Sequence, residues 1–434
     1  MNPRPRPLAA AALAAGLFLS CVSTPYGPPE PAQIPEDFFG VSPDRSPLEK
    51  EDFDLLDQLG TVWTRTTLRW SSVEPREGTW NFQHADNYVS KTVSAGKKLV
   101  YILGFDNPWL YQDRREHRDM TDREIPYFLA YTEQVVSRYR GKVAAFEIWN
   151  EPNWVFWKGS DEHFFALSRA AAAKARETDP HAVILAGSTA RFSRRFTRGM
   201  IAAGALEHTD GFSIHPYSLS PRGTIRQVDK LRKLLDKADY RKPIWITEAG
   251  YATGGISPIR LDRYGAYIVK TLSGLAARSG AVRNVIWYEL MDEYVPSAVP
   301  DHWNFEHFFG LIYPDRTLKP GARAFMLTAH HLAGAEYRPE FPRREGVFRG
   351  LVSLYFRKKD GTRVLLLWTE SGDKRRIRLI LEGAAGVFRQ DIHGGPAVPL
   401  SADPEVEVGG DPLFVTWRGE APPLIRPAGK NRRL

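Results

Sequence analysis

Two glutamates stand out because each closes a short apolar run. Glu151 lies in FEIWNEPN, and Glu248 lies in IWITEAGY. Two carboxyls meeting in one cleft can break a glycosidic bond. One, protonated, gives its proton to the departing oxygen, while the other, ionised, attacks the anomeric carbon. In a retaining reaction they stand ~5–5.5 Å apart, and the first then activates water. The acid needs burial or a negative neighbour to keep its proton, and the nucleophile must keep its charge. A cation beside Glu248 would meet the second need, and Arg65 is a candidate.

Rival carboxylates have blander roles. Strand alternation puts Glu147 on the side of Glu151 but deeper, where a buried ion pair is the expected role. Asp292 and Glu293 fit a polar mouth or a loop. Among the histidines, only His215 ends an apolar run, where it serves either the substrate and nucleophile or a structural hydrogen bond. No His/Asp/Glu cluster has metal-ligand spacing, so neither a metal nor another cofactor is expected. A G-x-S-x-G nucleophile turn is absent, and the single cysteine, Cys21, precedes the folded body.

Both glutamates need a scaffold that aims strand ends into one mouth. Eight β-rich runs alternate with helical patterns: 38–42, 62–68, 98–105, 143–149, 182–187, 211–215, 243–247 and 285–290. This predicts an α/β fold, a (β/α)8 TIM barrel over residues 37–335. Runs such as KLVYILGF and AVILAG suit strands buried on both faces. An open doubly wound sheet is the rival, but no Gly-rich phosphate turn follows the first strand. Glu151 and Glu248 would end strands four and seven, on roughly opposite sides of the mouth. Residues 336–420 read as short strands separated by turns, a C-terminal antiparallel β-sandwich. Residues 421–434 read as a basic tail.

NEP after strand four and TE after strand seven resemble the signature of clan A glycoside hydrolases. The resemblance covers about residues 38–335. It includes RTTLRWSSVEPREGTWNF (65–82), SIHPY (213–217), WYELMDE (287–293) and GLIYPDRTLKPGARAF (310–325). With the sandwich added, family 39 is the nearest match, followed by family 5. The resemblance implies a retaining glycosidase, with Glu151 as acid/base and Glu248 as nucleophile. It further implies that Asn150 binds the sugar's 2-hydroxyl, that Arg65 and Tyr217 hold Glu248, that His215 lines the mouth, and that Trp287 is the stacking platform. Trp154, Phe156 and Trp157 match no pattern of that family. They are either subsite walls or core packing. The same residues would serve a transglycosylase, or persist in a non-catalytic carbohydrate-binding surface lipoprotein.

Composition agrees with a glycan partner. Aromatics reach 12%, with 12 Trp and 17 Tyr, and such rings stack on the apolar faces of sugars. The formal net charge of +8 is spread along the chain without a basic, aromatic-laced helix, so no nucleic-acid partner is expected. An acidic polysaccharide fits that charge. Residues 1–20 carry Arg4 and Arg6 and then an apolar stretch from Leu8 to Leu19, too short to span a bilayer. They read as a secretory signal. LFLSC resembles a lipobox with Cys21 as the lipidated residue, although Phe18 stands where Leu is usual; an ordinary signal is the alternative. Residues 21–36 are Pro-rich and read as a semi-rigid tether. The expected location is exported and anchored to a bacterial membrane, at the periplasmic face or cell surface.

Overall fold

The computed structural model describes residues 26–27, 30–43, 48–111, 120–293, 304–346 and 348–428. Eight parallel strands close into a barrel in chain order: Phe39–Ser42, Trp63–Thr67, Lys98–Leu103, Ala145–Ile148, Ile184–Ala190, Gly211–His215, Ile244–Ala249 and Val282–Tyr288. The first strand pairs with the last, Phe39 opposite Val285, so no edge is left open. The helices lie outside. Serines cap three of them, Ser160, Ser193 and Ser220, each accepting a hydrogen bond from a backbone N–H of the first turn.

The inside of the barrel is filled in layers. Trp63, Val100, Ala145, Leu185, Trp245 and Ile286 plug its N-terminal end. The indoles of Trp63 and Trp245 meet edge to face at 5.2 Å. Gly211 makes room for them, because a Cβ there would stand 2.4 Å from Trp245 Cδ1. Two residues further along strands two, four and seven come Arg65, Glu147 and Thr247, which form a polar layer above the plug.

Towards the C-terminal mouth, two strands depart from regular pairing. On strand five, Ala186 pairs with Phe212 but Thr189 pairs with Ile214, so one extra residue is inserted. Gly187 has φ 111° there, and a Cβ would lie 2.7 Å from Ser213 O. On strand seven, Ile246 pairs with Val285 and Ala249 with Trp287, which is again three residues of advance against two. Such bulges re-aim side chains. The second one lets neighbours Thr247 and Glu248 both face the interior, which strict alternation forbids.

Two largely antiparallel sheets are built mostly from the residues that follow the barrel. The larger has seven strands and the smaller four. Leu365, Leu367, Val415 and Trp417 of the larger pack on Ile377, Leu379, Val406 and Ile425 of the smaller. The opposite face of the larger sheet, with Leu354, Leu366, Trp368 and Phe414, joins the main core of the barrel. Burial on both faces explains the unbroken LLLW run in the strand Thr362–Thr369.

The expected tether and the expected basic tail are both partly built into the fold. The expected free tether is instead a strap over its described residues. Ala32–Gln33 pairs with Glu336–Tyr337, Ile34 is buried, and Tyr26 packs edge-on against Trp368 at 4.9 Å. The expected loose tail supplies the strand Leu424–Pro427, which pairs with Ile377–Ile380 and buries Ile425 completely. In each case one or two apolar side chains find a sheet edge, and the Pro and Arg content of the segment hides them. Cys21 lies outside the described residues.

Candidate active site

The polar layer is organised by Arg65. It is 3% exposed and spends its donors on side chains from strands four and seven. Nε donates to Glu147 Oε2 at 2.6 Å, Nη1 to Glu248 Oε1 at 2.5 Å, and Nη2 to Asn150 Oδ1 at 2.7 Å. Burial works against the charge of Arg65, but Glu147 and then Glu248 hold its pKa above the usual guanidinium value. A planar fork with fixed donors suits this task, and lysine could not replace it. The expected buried pairing of Glu147 is present, completed by Thr247 Oγ1 donating at 2.8 Å.

Glu248 Oε2 accepts from the Tyr217 hydroxyl at 2.8 Å. Burial, then the charge of Glu248, pushes the Tyr217 phenol well above its ordinary value, so it stays a donor. A cation and a phenol thus grip the two oxygens of one carboxylate.

Glu151 is held by its backbone. Its N–H donates to Ser188 O on the strand-five bulge at 2.8 Å. Trp149 and Glu151 both have positive φ, 67° and 45°, in the left-handed region that non-glycine residues rarely enter. Each such residue costs roughly 1–3 kcal/mol unless its surroundings enforce it. The enforcement comes from Trp149, which is 1% exposed and packed against Phe105, Phe128 and Trp157. Asn150 lies between the two left-handed residues. Its oxygen faces Arg65, so its Nδ2–H2 is the end left for a ligand.

His215 joins the two halves. Nδ1 lies 2.9 Å from Glu151 Oε1 and 3.4 Å from Glu248 Oε2. One atom from each of Glu151, His215 and Glu248 falls within 4.8 Å of the others. The sequence has no metal-ligand spacing, so this convergence is visible only in three dimensions. The cation built into the trio is the Arg65 guanidinium. The side chains of Glu151 and Glu248 are 13% and 11% exposed, which is accessible but mostly desolvated.

Two aromatic expectations need correction. Trp287 is not a platform at the mouth. It is 0% exposed, it packs on Tyr251 and Phe325, and its Nε1 donates to Tyr264 Oη at 3.3 Å, all outside the barrel wall. Ile286 belongs to the interior plug, so 287 points outward and 288 inward. Tyr288, half-buried and 6.4 Å from the Tyr217 ring, is the aromatic that strand eight brings beside Glu248. Alternation along VIWY could have found it once one residue's face was known. Trp157 is not a subsite wall either. It is 7% exposed, packs on Trp149 and Phe164, and serves as a prop for the Trp149 turn. Trp154 is exposed at 64%, and Phe156 stacks on Phe105 with centroids 5.5 Å apart. Asp292 forms a buried pair with Lys319 at 2.6 Å and accepts from Gly310 N–H, a role in wall structure.

The fold is shared with solved glycoside hydrolases. A family 39 enzyme from Bacteroides cellulosilyticus WH2 superposes with TM-score 0.75 at 20% identity, over 89% of this chain and 81% of that one. A monomeric β-xylosidase from Caulobacter crescentus CB15 gives 0.63 at 15%, over 90% and 98%. A family 39 enzyme from Xanthomonas axonopodis pv. citri gives 0.63 at 14%, over 90% and 96%. In sequence, the chain is similar to endo-1,4-beta-xylanase 3 of Hypocrea jecorina, 27% identical over 157 residues. That stretch is 33% of this chain and 44% of the xylanase, so the match spans less than half the length of that relative. No protein-family model matches the chain.

Proposed function

We propose that this protein is a retaining glycoside hydrolase in which Glu248 is the nucleophile and Glu151 the acid/base. The observation that carries this reading is the pair itself. An oxygen of each carboxylate lies within 4.8 Å of the other at the open end of the barrel. Separations near 5 Å belong to double displacement, while inverting enzymes leave roughly 6.5–9.5 Å for a water molecule. The unequal surroundings support the division of roles. Glu248 faces a guanidinium and a phenol, as an attacking carboxylate requires. Among the described residues, the Glu151 carboxyl meets the His215 imidazole and not that guanidinium–phenol pair, as a proton donor to a leaving group requires. Asn150 Nδ2 would bind the 2-hydroxyl, Tyr288 would floor the cleft, and the exposed Trp154 would stack on the leaving-group side, one turn beyond Glu151. The glycosidases and xylanase similar to this chain support an oligo- or polysaccharide as the substrate class.

The test is Glu248→Ala. Turnover of an activated aryl glycoside is expected to fall by at least about 10⁴-fold, as for loss of a covalent nucleophile. Azide should restore it by entering the vacated space. An unchanged rate in the variant would exclude the assignment. The reading extends to the membrane. We propose export and lipidation at Cys21, motivated by the charged start, the apolar stretch to Leu19 and the LFLSC motif. Labelled fatty acid should enter the native protein and not Cys21→Ala; equal labelling of both would refute an anchor at that residue.

A further inference from the structure

His215 has more polar neighbours than hydrogens, and the neighbours decide where its proton sits. Glu147 is paired with Arg65 and only accepts. Thr247 has one hydroxyl hydrogen and gives it to Glu147 at 2.8 Å. Its oxygen is therefore an acceptor towards His215 Nε2, 3.1 Å away. Arg65 Nη2 and Ser188 Oγ stand further off, at 3.4 Å each, beyond the usual range, and Arg65 Nη2 already serves Asn150 at 2.7 Å. Nε2 therefore carries hydrogen, and in a neutral ring Nδ1 is then a lone pair. That lone pair lies 2.9 Å from Glu151 Oε1, and two acceptors at this distance need a hydrogen between them. The other carboxylate near Nδ1, Glu248, is 3.4 Å away and takes its hydrogen bond from Tyr217.

We propose that Thr247 fixes His215 as the Nε2–H tautomer, so that Nδ1 accepts the proton of the Glu151 carboxyl and keeps Glu151 the acid of the resting site. Thr247 and His215 are positioning residues. His215 touches Glu151, and Thr247 acts on Glu151 through His215. The chain runs Glu147, Thr247, His215, Glu151, with each hydrogen pointing back towards Glu147. It makes the bulge on strand seven purposeful, since that bulge turns Glu248 inward beside the already inward-facing Thr247. The kinetic part of this inference rests on the glycosidase reading, while the tautomer does not.

The test uses the full chain, ¹⁵N-labelled, with long-range ¹H–¹⁵N correlation of the imidazoles and His215→Gln to identify the signal. At neutral pH, His215 should give a protonated Nε2 and an unprotonated Nδ1. Thr247→Val should populate the Nδ1–H form, and Thr247→Ser should restore the native one. In kinetics, Thr247→Val should lose about 10-fold or more on glycosides with poor leaving groups, which need acid assistance. It should stay within about threefold on an activated aryl glycoside, where that assistance is not needed. The alkaline limb of its kcat/KM profile should move to lower pH. A wild-type ring protonated on Nδ1, alone or together with Nε2, would overturn the proposal, as would equal losses on both leaving groups. If no glycoside is turned over, the glycosidase reading fails, while the spectra still decide the tautomer.

Discussion

The two ends of the barrel interior obey different rules. At the N-terminal end, Trp63, Trp245 and four aliphatic neighbours fill the space with close apolar contacts. At the C-terminal end, two strands bulge, two residues beside Asn150 take left-handed backbone, and two carboxylates and a carboxamide grip one guanidinium. One end is filled by apolar packing, and the other by charge pairs on bulged and left-handed backbone. Local violations of this sort are sustained only where the surroundings enforce them, and they cluster at functional sites. The plug keeps strands two and seven in place, and the charges ride two residues above it.

Substitutions that confuse the two ends sharpen the contrast. The largest effect is expected from Arg65→Met. It strands Glu147 and Glu248 without their cation, and breaking a buried pair costs about 3–5 kcal/mol. Both stability, read by denaturant melts, and turnover should collapse. Full activity in a stable variant would deny Arg65 its place. Trp245→Ala comes next, losing about 3–5 kcal/mol by opening a cavity in the plug. Its folded fraction should keep near-native kcat, because the polar layer takes its geometry from its own hydrogen bonds. A selective loss of kcat would show that the two ends are not separable.

The smallest effect lies far from both ends. His331 packs against Phe414 with centroids 5.2 Å apart, where the last barrel helix meets the larger sheet. Burial, then the nearby His330, pushes its pKa down to about 4 from 6.5. The unfolded chain binds that proton more readily, so stability is complete above about pH 6.5 and falls as pH drops towards 4. His331→Leu should flatten this part of the stability–pH curve; an unchanged slope would assign it to other groups.

Much of this was legible in sequence, for physical reasons. Eight apolar runs separated by helical periodicity leave few folds other than a closed barrel, and Glu151, Glu248 and the buried pairing of Glu147 followed from strand ends and alternation. Face assignments failed where pairing, a non-local property, decides them. The family resemblance pointed to Trp287 as the platform, but the phase of strand eight turns Tyr288 inward instead, and a shift of one residue changes the face. The bulges that aim Glu248 and Ser188 leave no mark in composition. Trp157 followed Trp154 in a polar loop, yet it folds back under Trp149. The strap at Ala32–Gln33 and the strand at Leu424–Pro427 were hidden by proline and arginine, because a sheet edge can recruit a segment that would not be a strand alone.

The stereochemistry of the first product tests the carboxylate pair most directly. ¹H NMR during the first minutes of hydrolysis of a cleaved glycoside should reveal the anomer of the starting sugar, before mutarotation blurs it. Initial appearance of the opposite anomer would mean that water, not Glu248, attacks the sugar.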